Sequence, residues 1–174
     1  MLQNYSRYRL LQEFFDSPRK GFYVRELSRK LKLAQISVMN HLKALQSEGF
    51  VVREKRSLYP TYRANRENEE YKILKKENII WRLYKSGLLY YIEENIQPNC
   101  IVLFGSASKG EDIETSDIDI FVQANEAELN MKHFEAQLKR KVNLFFEPTT
   151  KNLSKELLNN IINGEIIYGY LKVF

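Results

Sequence analysis

The stretch from Val102 to Val122, VLFGSASKGEDIETSDIDIFV, constrains the fold more than any other part of the chain. Two apolar runs are joined by a small-residue turn, and paired carboxylates open the second run. Ile101 to Phe104 reads as a buried strand stopped by Gly105 and Ser106, where the chain must turn tightly. Backbone amides at such a turn can face a phosphate. Asp117 and Asp119 fall on a predicted strand, where a period of two puts both side chains on one face. Adjacent carboxylates repel unless a cation sits between them. Mg²⁺ held by one or two carboxylates plus substrate phosphates is the usual arrangement for phosphoryl and nucleotidyl transfer.

At these residues the chain resembles the DNA polymerase beta superfamily, and most closely its minimal nucleotidyltransferases. Their signature is Gly-Ser, an intervening stretch, then Asp-x-Asp, with a Gly four after the Ser and a Ser before the first Asp. Gly105, Ser106, Gly110, Ser116, Asp117 and Asp119 fit that spacing, and the resemblance runs from about Leu88 to the C-terminus. It implies that Gly105, Ser106, Lys109 and Ser116 contact a nucleoside triphosphate and that Asp117 and Asp119 hold Mg²⁺ or Mn²⁺. The bland alternative is a surface Gly-Ser turn and an acidic loop in an unrelated domain.

Charge divides the chain unevenly. Residues 1–65 hold 13 Lys and Arg against 5 Asp and Glu, a balance of +8, whereas residues 100–174 hold 8 against 11, a balance of −3. A basic compact segment favours a polyanionic partner, and an acidic one suits a metal site. Cys100 is the only cysteine, so no disulfide forms within the chain and no thiolate zinc site exists. Beside a strand it reads as a small core residue, which fits a reducing compartment. No apolar run approaches the ~20 residues of a membrane span, and Arg7 and Arg9 interrupt the N-terminal pattern, so a cytoplasmic protein without a signal peptide is expected.

In chain order, Leu2 to Phe15 has helical spacing and closes in the turn residues Asp16 to Gly21. Val24, Leu27 and Leu31 mark a short second helix. A tight turn leads to a third, about Gln35 to Glu48, which buries Val38, Leu42 and Leu45 and ends at Gly49. Phe50 to Arg56 and Tyr59 to Ala64 are β-prone and read as a basic hairpin. Two short helices across a tight turn form a helix-turn-helix, and the hairpin is its wing.

The segment from Ala34 to Val52 resembles winged-helix regulators of the ArsR and MarR type, whose pattern Ser-Val-x-x-His-Leu-x-x-Leu-x-x-x-Gly stands here as Ser37 to Gly49. The resemblance implies that the third helix enters the major groove of duplex DNA with Gln35, Ile36, Ser37, Met39, Asn40 and Lys43 on its exposed face. Arg53, Lys55, Arg56 and Arg63 on the wing then meet phosphates or an adjacent minor groove. Winged helices also bind proteins, and His41 reads equally as a packed or capping residue.

Arg66 to Glu70 is polar. From Tyr71 to Ile96 apolar residues recur at helical spacing, and Gly87 marks a split. The excess of apolar residues from Ile73 to Leu89 points to a homodimer face, and Trp81 and Tyr84 read as packing residues. Beyond the motif, a helix is expected over Ala127 to Lys139, a strand over Val142 to Phe146, a helix over Asn152 to Asn163, and an apolar tail from Ile166. The order helix, strand, helix, strand, helix, strand, helix suits a small α/β core. The whole is α+β with two domains: a winged helix over 1–65, a helical segment over 66–97 that joins them, and a small α/β nucleotidyltransferase core over 98–174.

Two positions depart from the family pattern. A third carboxylate is usual on the next strand, and this chain has Asn143. An amide oxygen can touch a metal but cannot accept a proton as a carboxylate does. Glu147 shares Asn143's face but is about 13 Å along the strand at ~3.3 Å per residue. Ala107 stands where relatives often carry a basic residue, and Lys109 keeps one charge near the phosphates. The resemblance implies transfer of a nucleoside monophosphate from a triphosphate to a hydroxyl, with Asn143 in the acceptor-activating place. The alternative is a nucleotide-sensing or purely structural domain on a DNA-binding regulator. It also implies a HEPN-type toxin protein as a partner.

Overall fold

The structure, a computed structural model, describes residues 5–54 and 59–173. It divides into two compact units, Met1–Lys72 and Ile73–Phe174.

In the first unit, helix α1 (Ser6–Asp16) buries Leu10, Leu11, Phe14 and Phe15, the paired stripe of an amphipathic helix. Helix α2 (Val24–Leu31) buries Leu27 and Leu31 and ends at Lys32, which takes the left-handed conformation. The turn closes when Leu33 N–H donates to Ser28 O at 3.1 Å and Ser28 Oγ donates to Leu33 O at 2.6 Å. This local bonding satisfies the end of α2 and starts helix α3 (Gln35–Ser47) almost at once, with Val38, Leu42 and Leu45 inward. Gly49, at φ +79°, lets the chain leave α3.

Strands β1 (Val51–Glu54) and β2 (Thr61–Ala64) pair antiparallel, with Val51 opposite Ala64 and Glu54 opposite Thr61. Phe22 adds an isolated antiparallel bridge to Tyr62, and its ring packs edge-on against Phe14 at 5.3 Å. Helix α4 (Glu69–Ser86) starts within this unit. Its Tyr71 hydroxyl donates to Phe14 O at 2.8 Å, and its ring lies 5.3 Å from Phe15. A buried hydroxyl needs such a partner, and here it fastens the start of α4 to α1.

The second unit takes the rest of α4. Gly87, at φ +79°, separates it from helix α5 (Leu88–Ile96). Strands β3 (Cys100–Phe104) and β4 (Ile118–Val122), helix α6 (Lys132–Leu138), strand β5 (Val142–Phe146), helix α7 (Lys155–Ile162) and strand β6 (Glu165–Gly169) follow. The sheet order is β5-β4-β3-β6. β3 is antiparallel to both β4 and β6, and β4 is parallel to β5. One sheet face carries Ile101, Leu103, Ile118, Ile120 and Val122 into a core with Leu83, Leu88, Ile92, Phe134 and Leu138. The other carries Cys100, Val102, Phe104 and Phe121 against Ile161, Leu153 and Leu157.

Several expectations are corrected. Between β3 and β4 stands only a 3-10 turn, Ala107–Lys109, so the chain doubles back and the two strands run antiparallel. The helix expected over Ala127 to Lys139 is confined to Lys132–Leu138. Asn130 Oδ1 accepts from Lys132 N at 3.2 Å, and an Asn that bonds nearby backbone favours a helix start over a helix interior. The helix expected over Asn152 to Asn163 begins at Lys155, where Ser154 Oγ accepts from Leu157 N–H as an N-cap. The apolar tail is an edge strand: Glu165 to Gly169 pair with β3. Gly164 permits this, because a Cβ there would stand 2.5 Å from Leu103 O. Much of the stretch from Ile73 to Leu89 is used inside this unit, since Ile79, Leu83, Leu88 and Leu89 belong to its core. Of the large apolar residues in that stretch, Ile73 and Tyr84 remain exposed.

Candidate active site

Asp119 lies in β4, where it pairs with Phe104 of β3 on one side and Asn143 of β5 on the other. Asp117 is two residues earlier, just before the strand begins. Strand parity sends Ile118 and Ile120 into the core and the two carboxylates to the opposite face. Both are half-buried. The Asn143 side chain shows that they converge: its Nδ2 donates to Asp119 Oδ1 at 2.9 Å and to Asp117 Oδ2 at 3.3 Å. One electropositive NH₂ group thus sits between two anions, and a hydrogen bond to a charged acceptor is worth about 1.5–3 kcal/mol.

The turn after β3 closes the other side. Gly105 has φ +73°, and a Cβ on it would stand 2.8 Å from Asp119 Oδ2. Glycine is favoured twice here, for the left-handed backbone and for the close approach of the carboxylate. Ser108 Oγ donates to Gly105 O at 2.9 Å, while Ser106 O accepts from Lys109 N at 3.2 Å and from Glu111 N at 3.0 Å. Gly110 is again left-handed, at φ +68°. Ala107, where a basic residue is usual, is buried in the core, and Lys109 is exposed on the turn. Ser116 Oγ accepts from Ile113 N at 3.0 Å and Ser116 N donates to Ile113 O at 3.0 Å, so this hydroxyl closes a turn. Glu147 Oε1 accepts from Asn152 Nδ2 at 3.0 Å.

Three charged residues behind the site were not legible in the sequence. Asp112 is buried; Lys75 Nζ lies 2.9 Å from its Oδ1 and Arg140 Nη2 lies 2.9 Å from its Oδ2. Lys75 also donates to Asp112 O. Arg140 Nη1 donates to Ser116 O at 3.0 Å. Asp112 stands in a polar loop and Arg140 just past a helix end, and nothing in their spacing marks either.

Residues 88–171 match the family described as Polymerase beta, Nucleotidyltransferase. A protein of Methanocaldococcus jannaschii named "Putative protein adenylyltransferase" is 40% identical over 63 residues, which cover 35% of this chain and 73% of that protein. The chain belongs to the polymerase beta nucleotidyltransferase family.

In this family member, the two carboxylates are oxygen donors of the kind that suits a hard divalent cation. Asp117 and Asp119 offer oxygens around a point already occupied by a positive NH₂ dipole. Among the described residues no group of three or more His, Cys, Asp and Glu exists that could hold a metal.

The residues singled out in the first unit are placed as follows. Gln35, Ile36, Met39, Asn40 and Lys43 are exposed on α3, and Ser37 Oγ lies 3.3 Å from His41 Nε2. Arg53 is exposed on β1, whereas Arg63 pairs with Glu54 at 2.6 Å. Lys55 and Arg56 lie outside the described residues. No helix among the described residues is long and apolar enough to cross a membrane.

Proposed function

We propose that the second unit transfers a nucleoside monophosphate from a nucleoside triphosphate to a hydroxyl, with AMP as the group and a protein as the acceptor. The observation that carries this reading is the convergence of Asp117 and Asp119 on one Asn143 nitrogen, beside a left-handed turn where a Cβ at position 105 would crowd Asp119. The adenylyl group and the protein acceptor are taken from the name of the M. jannaschii relative.

In this reading the amides at Gly105 and Ser106 receive the phosphates, and Lys109 lends a positive charge at the open side. Ser116 acts through the backbone turn that it closes. Asp117 and Asp119 hold Mg²⁺ or Mn²⁺, which when bound offsets phosphate charge and aligns the triphosphate. Asn143 would add its amide oxygen, its only acceptor atom, to the donors that would hold the ion. The acceptor oxygen forms a bond to the α-phosphorus while the α–β bridging P–O bond breaks, and pyrophosphate leaves with that electron pair. Asn143 has no basic site for the hydroxyl proton, which passes to water. The same amide favours a second reading, in which the unit binds nucleotide as a sensor without turnover.

The first unit is read as a winged helix over 1–65 that binds duplex DNA, followed by a helical segment over 66–97 and the nucleotidyltransferase core over 98–174. Supporting it are the abrupt turn between α2 and α3, the hairpin that follows, and the exposed row Gln35, Met39, Asn40 and Lys43. A homodimer reading paired half-sites completes this regulator.

Incubation of the purified chain with labelled ATP, GTP, CTP and UTP, Mg²⁺ and acceptor proteins tests the transferase. Protein-bound label above the level of an Asp117→Ala, Asp119→Ala double variant is expected. Metal-dependent nucleotide binding without label transfer selects the sensor, and absence of both overturns each reading.

A further inference from the structure

We propose that Arg140 is a positioning residue: its guanidinium ties the two ends of the Asp112–Ser116 loop together and thereby fixes the carboxylate of Asp117. The proposal rests on the transferase reading of the Asp117 and Asp119 pair and assigns a task to a residue outside it.

The loop needs an external anchor. Between the 3-10 turn ending at Lys109 and the first residue of β4 the chain has no regular secondary structure. Asp117 precedes the strand and lies outside its ladder. The nearest backbone bond on the strand side is Ile118 N to Lys141 O at 2.9 Å, and on the loop side is Ser116 N to Ile113 O at 3.0 Å. The peptide plane between Ser116 and Asp117 sits between those bonds. Its carbonyl, Ser116 O, receives Arg140 Nη1 at 3.0 Å.

The other arm of the same guanidinium, Nη2, meets Asp112 Oδ2 at 2.9 Å. Asp112 is itself held from α4 by Lys75. The side chains of Lys75, Asp112 and Arg140 are 4%, 6% and 10% exposed, so water does not screen this network as it would a surface pair. A rigid planar fork fixes two acceptors at set distances. Arg140 immediately precedes the segment that leads into β5, the strand of Asn143. One side chain therefore couples the approach to Asn143 with the approach to Asp117, the two groups whose side chains meet at 3.3 Å.

The test is Arg140→Lys in the full chain. A lysine ammonium keeps the charge beside Asp112 but lacks the fork that reaches Ser116 O as well. Arg9→Lys is the matched control, since Arg9 Nη2 also donates to a carbonyl, Leu31 O at 3.0 Å, in the other unit. Hydrogen exchange across residues 111–118 of the metal-free protein and titration with Mn²⁺ alone, read by paramagnetic resonance, are measured beside thermal melting. For Arg140→Lys, exchange in that segment should accelerate and Mn²⁺ affinity should fall by about tenfold, with melting close to the parent and to Arg9→Lys.

Unchanged exchange, or faster exchange with Mn²⁺ affinity within twofold of the parent, overturns the proposal. So does a loss of Mn²⁺ affinity that Arg9→Lys reproduces. Should the parent bind no Mn²⁺, the metal-dependent reading falls and this proposal with it, whereas a binding parent with an indifferent Arg140→Lys leaves that reading standing.

Discussion

Asp119 Oδ2 lies 2.8 Å from the point where a Cβ on Gly105 would stand, so the turn after β3 and the carboxylate on β4 interlock through an absent side chain. Gly105→Ala must relieve that contact and also hold a left-handed backbone, which costs an L-residue roughly 1–2 kcal/mol. The carboxylate is the group that can move. Calorimetry should show metal-dependent nucleotide binding weakened at least about tenfold, with stability in urea lower by about 1–2 kcal/mol. Binding equal to the parent's would show that Asp119 needs no support from this turn.

Asn143→Asp replaces the NH₂ between two carboxylates by a third anion. Without metal, like charges crowd together and the melting temperature should drop; added Mg²⁺ should restore more than it does for the parent. Where an acceptor is present, a carboxylate at this position returns a proton acceptor, worth ~10² to 10⁴ in rate. Single-turnover label transfer by both proteins measures it. An unchanged or lower rate in the variant would show that a carboxylate at this position does not serve as the proton acceptor.

Duplex DNA binding by the first unit should weaken steeply with salt. Arg53→Ala should lower affinity for all sequences. Arg63→Ala should do less, because Arg63 is engaged with Glu54. Gln35→Ala and Asn40→Ala should relax sequence preference by about 1–3 kcal/mol for each bidentate pair of hydrogen bonds to a base that the substitution removes. Anisotropy titrations across a salt series decide this; affinity flat against salt would count for a protein partner instead.

Cys100 is fully buried in β3, and burial pushes its thiol from 9.0 up to about 11. Between those values the unfolded chain releases a proton that the folded one keeps, so stability is present below pH 9 and declines as pH rises towards 11. At a pH of about 8, just below the ordinary thiol range, a disulfide reagent should react slowly with the native protein and readily in urea. Equal rates in the two states would contradict a closed β3 core.

The sequence by itself determined the parts whose signal is local. Gly105, Ser106, Asp117 and Asp119 lie on one continuous stretch, and strand parity alone puts the two acids on one face. The helix α1, the tight turn between α2 and α3 and the hairpin were legible because apolar spacing and turn residues act over a few neighbours. The family match over residues 88–171 agrees with that reading of the motif. Only the tertiary structure decided what depends on pairing across the chain. The tail from Glu165 became a strand because β3 offered it an edge, at the far end of the sheet from β5. The helix before Lys132 was cut short where Asn130 bonds its neighbour's backbone. Asn143 meets Asp117 and Asp119 through the parallel register of β4 and β5. Lys75, Asp112 and Arg140 come from a helix, a loop and a strand approach, and nothing in their spacing announces the charge network that burial makes of them.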